Sequence, residues 1–423
     1  MGTGTESTFR IGLDDTDHPD GGCTTFDLNS LADLLVSEVP SFREIERRLV
    51  RLWPYAERRT RGNAALCLVA SVSDEDEGAL YRTLEEWVPD PSAEDGNSSA
   101  RPAIVVGSAT PPTAWYTEAV RSRVNLEERL HDIVSSDFKI FTKSERPHGA
   151  IGASAAIAWD GGRSTWELVA WREQGALGTR RVVDEGMISS MSERYPGTFA
   201  NRDPTTGRCM IAPRTPCPVL YGIRGRSVPE IKEAHRWLQS SGSNEHSPNF
   251  AIHRTNQCSD DHVVGAESGT VVTGPVVAPG GHTHLIVHGS NGSESLVAFK
   301  EGGPVNDALR GLHTGDRIHW VGLRAPDGSI HLERLMLFDQ VPIAVGRPMC
   351  CGKAMKSSGA NAGLRCSRCN GVANRAWIST STREQGTWSE PQSSNRRHLA
   401  RPLNQGEPPV SYTHLTLPTN LSV

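Results

Sequence analysis

F-R-I-G-L-D-D-T-D (residues 9–17) is the stretch that decides the fold, and G-G-C-T-T-F (residues 21–26) completes it. Apolar side chains alternate along residues 8–14, which predicts a half-buried strand. The strand ends in three carboxylates, those of Asp14, Asp15 and Asp17. Like charges held this close repel one another unless a cation lies among them, and Mg²⁺ prefers hard oxygen ligands and usually binds together with phosphates. The stretch therefore predicts a magnesium site and phosphoryl chemistry.

The alternative interpretation of the aspartates is a helix cap or a solvated turn, because carboxylates accept hydrogen bonds from the free N–H groups at a helix start. Residues 26–39 have helical apolar spacing, and Pro40 ends that helix. The order strand, loop, helix brings Gly22, Thr24 and Thr25 near a helix N-terminus, where phosphates bind readily. The chain has no G-x-x-x-x-G-K-[ST] loop, which excludes a standard P-loop.

Composition limits the class of protein. The chain has 423 residues, which predicts two to four domains, and a net charge of −5, which excludes a globally basic nucleic-acid binder. RNA contacts would have to use local basic patches. No apolar stretch approaches the length of about 18 residues that a transmembrane helix needs, and the N-terminus lacks the layout of a signal peptide. We expect a cytoplasmic protein with no membrane contact and no obligate protein partner.

The predicted secondary structure changes along the chain. Alternating strand and helix patterns up to about residue 260 predict an α/β or α+β body. From residue 268 to residue 340, short alternating strands follow at close intervals. This pattern favours a small barrel, with the OB-fold as the leading candidate and another small barrel or sandwich as the alternative.

Nine cysteines without a secretion signal favour reduced thiols and a metal site over disulfides. Four of them cluster in residues 345–373, where the spacing predicts a zinc ribbon; they are Cys350, Cys351, Cys366 and Cys369. The usual first half of such a site would place a cysteine at position 348, which is Pro348 here. Because adjacent cysteines rarely share one tetrahedral ion, the site could use three or four thiolates. Residues 374–423 are rich in Ser, Gln, Arg and Pro and predict a disordered tail, whose last residues resemble no other part of the chain and could be artefactual.

Two polar clusters are further candidates. In R-R-T-R-G-N (residues 58–63) planar guanidinium groups suit phosphates, although a solvated basic turn is the alternative. H-R-T-N-Q-C-S-D-D-H (residues 253–262) is a dense polar group after an apolar strand, and a polar turn before a linker is its alternative.

These motifs occur in one order: I-G-L-D-D-T-D, C-T-T, R-T-R-G-N, G-A-I-G-A, T-F-A-N-R-D, P-V-L-Y-G-I-R-G, R-T-N-Q, the barrel and the ribbon. Over residues 9–371 the chain resembles the archaeal tRNA-isoleucine 2-agmatinylcytidine synthetases. That family usually has R-T-N-Q-G-T-D, and here Cys258 and Ser259 replace Gly and Thr.

The resemblance implies an α+β multidomain fold: a non-P-loop kinase-like domain over 1–195, a ferredoxin-like region over 196–265, an OB-fold and a zinc ribbon. It implies an ATP-dependent ligase that phosphorylates the wobble cytidine of the isoleucine tRNA with a CAU anticodon, attaches agmatine to carbon 2 and cleaves ATP to AMP. Two other function classes stay open from the residues alone: a non-catalytic OB-fold and ribbon protein that binds RNA or single-stranded DNA, and a small-molecule kinase.

The resemblance also assigns residues. Asp14, Asp15 and Asp17 would hold Mg²⁺ and orient ATP, and Thr24 would be the autophosphorylated threonine. Nucleotide contacts would come from Gly22, Thr25, Arg59, Arg61 and Asn63. For the agmatine side we name Asp260, Asp261 and His262, and Arg254 and Asn256 of the same cluster are further candidates for substrate binding.

Overall fold

The computed structural model describes residues 5–17, 22–59, 62–90, 99–360, 362–375, 378–380 and 383–410. The chain forms two compact units, one over residues 1–264 and 392–406 and the other over residues 265–391 and 407–423. None of the helices in the described ranges is long and apolar enough to cross a bilayer.

The first unit contains most of the helices. Its strands are β1 (Glu6–Asp14), β2 (Arg43–Arg51), β3 (Ala64–Ser73), β4 (Ala103–Gly107), β5 (Lys139–Phe141), β6 (Thr165–Trp171), β7 (Thr198–Phe199), β8 (Val219–Gly225) and β9 (Asn249–Thr255). Its helices are α1 (Thr24–Glu38), α2 (Glu77–Trp87), α3 (Ala114–Arg121), α4 (Leu126–Ser135), α5 (Gly149–Ala158), α6 (Glu185–Arg194) and α7 (Val228–Ser240).

Within the described residues these strands make one mixed sheet in the order β5-β4-β1-β3-β2-β9-β6-β8-β7. β1 pairs antiparallel with both β3 and β4, so it lies inside the sheet. β2 and β9 pair in parallel through Arg48–Arg254 and Leu49–Thr255, and the other neighbours are antiparallel. The predicted strand over residues 8–14 is therefore a strand inside the sheet.

Alternation along β1 separates two cores. Phe9, Ile11 and Leu13 pack with the leucines of α1 and α2 on one face. Gly12 and Asp14 face α5 on the other side, where alanines of α5 form a second core with β3 and β4. A third core joins β6 and β8 to α6 and α7, so it includes residues on both sides of the predicted domain boundary at residue 195.

The second unit contains a closed five-stranded barrel. Its elements are β10 (Glu267–Val277), β11 (Thr283–Gly289), β12 (Gly292–Ala298), α8 (Pro304–Arg310), β13 (Arg317–Arg324) and β14 (Ile330–Asp339). The strands follow the order β12-β11-β10-β13-β14, and parallel pairing of β12 with β14 closes the barrel. The predicted barrel over residues 268–340 is thus observed as a closed structure.

Short strands form the cysteine-rich region of the same unit. They are β15 (Ile343–Gly346), β16 (Met349–Cys350), β17 (Lys353–Ala354), β18 (Lys356–Ser357), β19 (Leu364–Arg365), β20 (Val372–Ala373), β21 (Ile378–Thr380) and β22 (Trp388–Ser389). β22 pairs with β14 of the barrel.

Composition predicts a disordered tail over residues 374–423, and the structure describes internal contacts for part of this segment. Arg383 forms an ion pair with the buried Asp316, and Leu399 is buried in the second core of the first unit. The last residues, 411–423, lie outside the described part of the chain.

Candidate functional site: the aspartate turn and the C-T-T motif

The aspartate turn lies where β1 meets α5. A side chain at Gly152 would place its Cβ 1.8 Å from the Asp14 carboxylate oxygen, and one at Gly149 would lie 2.5 Å from the Asp14 carbonyl oxygen. The glycines of G-A-I-G-A therefore allow the helix to contact the end of the strand directly. This packing positions Asp14 against α5.

Burial and mutual repulsion act on the carboxylates of the turn. Burial, with smaller contributions from Asp15 and Asp17, raises the pKa of Asp14 well above its usual range. Burial also raises the pKa of Asp15 to about 7, although Arg58 and the backbone N–H of Arg101 lower it. Asp15 has a φ of 59°, in the left-handed region, so the turn is tightly bent here. Burial therefore disfavours the charged form of these carboxylates.

Thr24 is held beside this turn. Its hydroxyl donates to Asp17 Oδ1 at 3.2 Å, and the side chain is buried in the first turn of α1. Gly22 has a φ of +68°, and a Cβ there would lie 3.2 Å from the Thr16 carbonyl oxygen and from Asp17 Cα. The glycine thus lets the loop return against the aspartate turn, which brings Thr24 to Asp17.

Thr25 faces a different part of the unit. Its hydroxyl oxygen lies 2.9 Å from Cys23 Sγ and accepts a hydrogen bond from Trp171 Nε1 at 3.3 Å. Burial raises the pKa of the Cys23 thiol to about 11, so this thiol is not an activated nucleophile. Of the two threonines, Thr24 is the one whose hydroxyl is hydrogen-bonded to a carboxylate.

The donor set of the turn suits Mg²⁺, because carboxylate oxygens are hard ligands. The three carboxylates do not converge into a closed cage: in the described ranges, the group of three or more ligand atoms within 4.8 Å of one another is the cysteine cluster. Mg²⁺ commonly binds through one or two carboxylates plus substrate phosphates. The turn fits that mode of binding, in which a nucleotide completes the coordination.

Basic residues surround the turn, and sequence reasoning missed most of them. The charges of Arg58, Arg101 and Arg146 all act on His148, which lies at the start of α5. Burial and these arginines lower the pKa of His148. Arg58 and Arg101 also act on Asp15. The group is spread over residues 58–148, and a short spacing signal was lacking; only its placement at the ends of neighbouring elements could have suggested it.

The R-T-R-G-N turn is partly structural. Asn63 Nδ2 donates to the Trp53 carbonyl at 2.7 Å, and its φ of 43° makes it part of the turn. Arg59 Nη1 donates to the Ala56 carbonyl at 3.2 Å and its side chain is otherwise exposed. Arg61 lies outside the described residues. Arg59 remains available to an anion, whereas Asn63 supports the backbone.

Two of the substrate-binding candidates hold the fold. Arg254 Nε donates to Ser164 at 2.9 Å, and Nη1 lies 3.3 Å from Glu46. Asn256 accepts from the Arg51 N–H at 2.7 Å and donates to the Arg51 carbonyl at 3.0 Å, so it is bonded to the end of β2. The structure accounts for both side chains through internal contacts.

The remaining candidates of that cluster differ among themselves. Asp260 accepts a hydrogen bond from the Arg401 N–H at 2.7 Å, and Asp261 accepts one from the Tyr116 hydroxyl at 2.6 Å. His262 is buried and lines a cavity of about 130 Å³ together with Arg59 and His398. Of these three, His262 is the one that faces a space where a ligand could lie.

A buried charge cluster borders this cavity. Glu167 lies 3.0 Å from Arg51 and 3.2 Å from Arg224. Burial alone would raise the pKa of Glu167, but the two arginines, followed by His398, hold it at about 2. Arg51 and burial together lower the pKa of His398 well below its usual range. His398 belongs to the segment that composition predicts to be disordered.

The four cysteines of the second unit converge. Their sulfur atoms all lie within 4.8 Å of one another, with 3.6 Å between Cys350 and Cys369 and 4.0 Å between Cys350 and Cys351. Tetrahedral zinc with Zn–S bonds of about 2.3 Å requires sulfur separations of about 3.8 Å. The adjacent pair is therefore compatible with one ion. A φ of 50° at Cys351 turns the backbone there.

The backbone supports the thiolate form of one ligand. Arg368 N–H lies 3.4 Å from Cys366 Sγ, and N–H groups of Cys369 and Arg368 lower the pKa of the Cys366 thiol to about 7. Gly371 N–H lies 3.4 Å from Cys369 Sγ. Such N–H···S contacts orient and stabilise metal ligands. All four cysteines can hold zinc.

Three family models match the chain. They are the TiaS TCKD domain over residues 10–145, the TiaS FLD domain over residues 147–262 and the TiaS C-terminal zinc ribbon domain over residues 347–384. Together they cover both the aspartate turn and the cysteine cluster.

A whole-chain relative and two solved structures agree. The tRNA-isoleucine 2-agmatinylcytidine synthetase TiaS of Archaeoglobus fulgidus is 31% identical over 93% of this chain and 96% of its own. A crystal structure of TiaS in complex with its isoleucine tRNA and ATP has a TM-score of 0.84 and 28% identity over 95% of this chain and 98% of that one. A complex of TiaS with the same tRNA, AMPCPP and agmatine has a TM-score of 0.79 and 26% identity over 94% and 97%. The chain belongs to the family of tRNA-isoleucine 2-agmatinylcytidine synthetases.

Proposed function

We propose that this chain uses ATP to attach agmatine to carbon 2 of the wobble cytidine of the isoleucine tRNA with a CAU anticodon. One observation carries the proposal: the Thr24 hydroxyl lies 3.2 Å from Asp17 in a turn of three carboxylates surrounded by basic residues. The relative that shares the whole chain is named for this reaction, and the solved structures are complexes with an isoleucine tRNA, ATP or its analogue, and agmatine.

The chemistry requires activation. The oxygen on carbon 2 of cytosine is a poor leaving group, and transfer of a phosphoryl group to it makes it a good one. The amine of agmatine then forms a bond to carbon 2, the carbon–oxygen bond breaks, the oxygen leaves with the phosphate, and the amine loses a proton. A site that stabilises charge on a transferring phosphoryl group is what this sequence of steps needs.

The residues of the turn take definite roles in this proposal. Asp14, Asp15 and Asp17 would hold Mg²⁺, which when bound neutralises charge on the phosphates. Asp17 orients the Thr24 hydroxyl and accepts its proton when Thr24 takes a phosphoryl group. Gly22 and the first N–H groups of α1 lie where a phosphate would bind.

Basic side chains complete the nucleotide site. Arg58 and Arg101 act on Asp15 of the aspartate turn, and guanidinium groups bind phosphate oxygens in a bidentate way. Arg59 is exposed, and we propose from the R-T-R-G-N motif that both Arg59 and Arg61 contact the phosphates. Thr25 and Asn63 act indirectly, since their side chains are engaged with Trp171 and Trp53. We propose ATP as the nucleotide and AMP as its product.

For the agmatine side, His262 is the best supported of the residues named from the sequence because it lines a cavity. Arg254, Asn256, Asp260 and Asp261 would act by shaping the surrounding fold through their internal hydrogen bonds.

Topology supports finer domain identities. In the barrel, β10 pairs with β11 and β13, and β11 pairs with β12. β12 pairs in parallel with β14, and α8 lies between β12 and β13 in the chain. This Greek-key order is typical of an OB-fold, a fold that binds oligonucleotides. We assign the first unit to a kinase-like and a ferredoxin-like part, and the four-cysteine region to a zinc ribbon that grips RNA by shape and phosphate contacts.

The test combines purified full-length protein with ATP, Mg²⁺, agmatine and the isoleucine tRNA transcript, followed by mass spectrometry of the wobble nucleoside. The expected result is a nucleoside that has gained agmatine with loss of water. Asp14→Asn should abolish the gain, whereas Asp33→Asn, on the same first helix as Thr24, should retain it. A wild-type protein that binds the transcript without modifying it would favour the RNA-binding alternative.

A further inference from the structure

A second basic site lies in the first unit and is formed by arginines other than those that act on the aspartate turn. A cavity of about 620 Å³ is enclosed by the segment after β6 and the segment before β8. Five arginines line it, namely Arg172, Arg180, Arg181, Arg208 and Arg214. Glu185 is the acidic residue of the lining, and the arginines outnumber it, so the cavity carries a net positive charge.

Two of the arginines are built into the walls. Arg172 is buried, and its Nε and Nη2 donate to the Glu245 carboxylate at 2.6 Å and 2.9 Å, which neutralises it. Arg181 instead donates to carbonyl oxygens, those of Val219 at 2.8 Å, Cys217 at 2.8 Å, Thr215 at 3.0 Å and Pro213 at 3.2 Å. Carbonyl oxygens fix a guanidinium group without cancelling its charge. The Arg181 guanidinium therefore places a positive charge at a fixed position in the wall of the cavity.

The other three arginines are open to a ligand. Arg180, Arg208 and Arg214 are exposed, and no ion pair to a carboxylate joins any of them within the part of the chain that the structure describes. Arginines gathered in a cavity without carboxylate partners repel one another, and a ligand with several phosphate oxygens relieves that repulsion through paired hydrogen bonds. The chemistry of the lining selects a phosphate-bearing ligand.

The cavity adjoins the C-T-T motif. Cys217, on its wall, is close enough to Cys23 to contribute to the raised pKa of the Cys23 thiol. Trp171 immediately precedes Arg172 and donates to the Thr25 hydroxyl at 3.3 Å. A ligand in the cavity would therefore lie beside the loop that carries Thr24.

We propose that this arginine cavity binds backbone phosphates of the RNA strand that flanks the nucleotide being modified. The inference rests on the proposed function, in which a phosphoryl group passes from the Thr24 loop to an RNA base. In the proposed function the nucleotide triphosphate has its own basic group, formed by Arg58 and Arg101 beside Asp15. A second cluster of arginines on another side of the same loop suits the second phosphate-bearing substrate, which is the RNA.

The experiment uses the full-length double variant Arg208→Gln/Arg214→Gln. A matched control, Arg82→Gln/Arg236→Gln, removes two exposed arginines outside the cavity, so that the change in net charge is the same. Binding of the tRNA transcript is measured by fluorescence anisotropy over a range of salt concentrations. Phosphorylation of the protein by ATP without RNA is measured in parallel.

We expect the cavity variant to bind the transcript on the order of ten-fold more weakly than the control, with a salt slope lower by about 1.4, since each lost single-strand phosphate contact lowers it by about 0.7. ATP-dependent phosphorylation of the protein should be unchanged. Arg208→Lys/Arg214→Lys should keep most of the affinity, because the phosphate contacts are partly electrostatic, which separates charge loss from misfolding.

RNA affinity equal to the control would overturn the proposal. So would a rise in the KM for ATP with RNA binding retained, which would assign the cavity to the nucleotide. If the wild-type protein attaches no agmatine while the cavity variant still loses RNA affinity, the proposed function fails and the phosphate site stands.

Discussion

In the proposed function, Thr24 and Asp17 form the pair on which the chemistry depends. A threonine hydroxyl is a weak nucleophile, and a carboxylate at hydrogen-bond distance can both orient it and take its proton. The 3.2 Å contact between them exists because Gly22 allows the loop to fold back on the aspartate turn. The neighbouring Thr25 lacks such a partner and contacts Trp171 instead.

Thr24→Val should abolish covalent labelling of the protein by radioactive ATP, because the substitution removes the acceptor oxygen while keeping the shape of the side chain. Thr25→Val is the matched control and should retain most of the label. Tryptic mapping by mass spectrometry locates the phosphate. Label that persists in Thr24→Val, on another residue, would contradict the assignment.

Glu167 stabilises the folded protein through its ion pairs with Arg51 and Arg224. Its pKa in the folded protein is about 2, below its ordinary value of 4.5, since Arg224 and Arg51 stabilise the charged form. A lowered pKa adds stability that is fully present above the ordinary pKa and is lost as the pH falls through the folded value. The contribution, about 3 kcal/mol by linkage, disappears progressively between about pH 4.5 and pH 2.

Glu167→Gln should therefore lower the free energy of unfolding at neutral pH by about 3 kcal/mol, because two arginines are left buried without their partner. It should also flatten the loss of stability between about pH 4.5 and pH 2 relative to the wild type. Chemical denaturation at several pH values measures both effects. Glu173→Gln, at an exposed position, should change neither. If Glu167→Gln lost stability between about pH 4.5 and pH 2 as steeply as the wild type, this account of the cluster would be refuted.

At the scale of elements, the contact between β1 and α5 decides where Asp14 lies. Gly12, Gly149 and Gly152 remove the side chains that would separate the two, since a Cβ at each would lie 2.2 Å, 2.5 Å and 1.8 Å from the nearest atom. A helix made of Gly and Ala gains little from amphipathic packing, so its purpose here is close approach. That approach sets the position of the aspartate turn.

Gly152→Ala should lower the rate of agmatine attachment by at least ten-fold, an order-of-magnitude expectation from displacing a group that positions phosphates. The added methyl group collides with the Asp14 carboxylate, which must shift. Gly242→Ala, where a Cβ meets nothing within 4 Å, is the control and should behave as the wild type. Rates are compared at saturating ATP, agmatine and tRNA. Equal rates in the two variants would show that the helix contact does not position the turn.

Much of the element pattern could be predicted from the sequence, and the misses have physical reasons. The alternation of Phe9, Ile11 and Leu13 predicted β1, and the apolar spacing after the C-T-T motif predicted α1. The segment around Leu399 escaped prediction because its burial depends on a groove in another part of the chain. Periodicity within a segment carries no information about such a partner.

The candidate site was predictable only in part, because a local sequence pattern does not reveal residues that approach from distant parts of the chain. Asp14, Asp15, Asp17 and Thr24 are close in sequence, so the motif revealed them. Arg101 is far from the motif in sequence and reaches the turn only through the fold, so its effect on Asp15 became visible only in the structure. Conversely, Asn256 and Asp261 had the composition of a site but are used by hydrogen bonds that hold the backbone.

At the scale of the whole molecule, the two units contain different candidate sites. The first contains the aspartate turn and the arginine cavity, and the second contains the barrel and the cysteine cluster. The ribbon has a small hydrophobic cluster built on Met355, Leu364 and Cys366. A core this small needs metal to hold its fold.

The purified protein should therefore contain one zinc ion per chain, held by all four cysteines. Cys351→Ser should lose the metal, because the distance of 4.0 Å between Cys350 and Cys351 lets both sulfurs join one tetrahedral site. Cys258→Ser, outside the ribbon, should keep it. Elemental analysis measures the zinc content. Full zinc retention in Cys351→Ser would instead indicate a three-cysteine site.

The most direct test of the central claim is a single-turnover comparison of agmatine attachment by the wild type, Thr24→Val and Thr25→Val with the isoleucine tRNA transcript, read by mass spectrometry of the wobble nucleoside. We predict modified nucleoside with the wild type and Thr25→Val, and none with Thr24→Val. Modification by Thr24→Val at the wild-type rate would contradict the claim that phosphoryl transfer passes through the C-T-T motif.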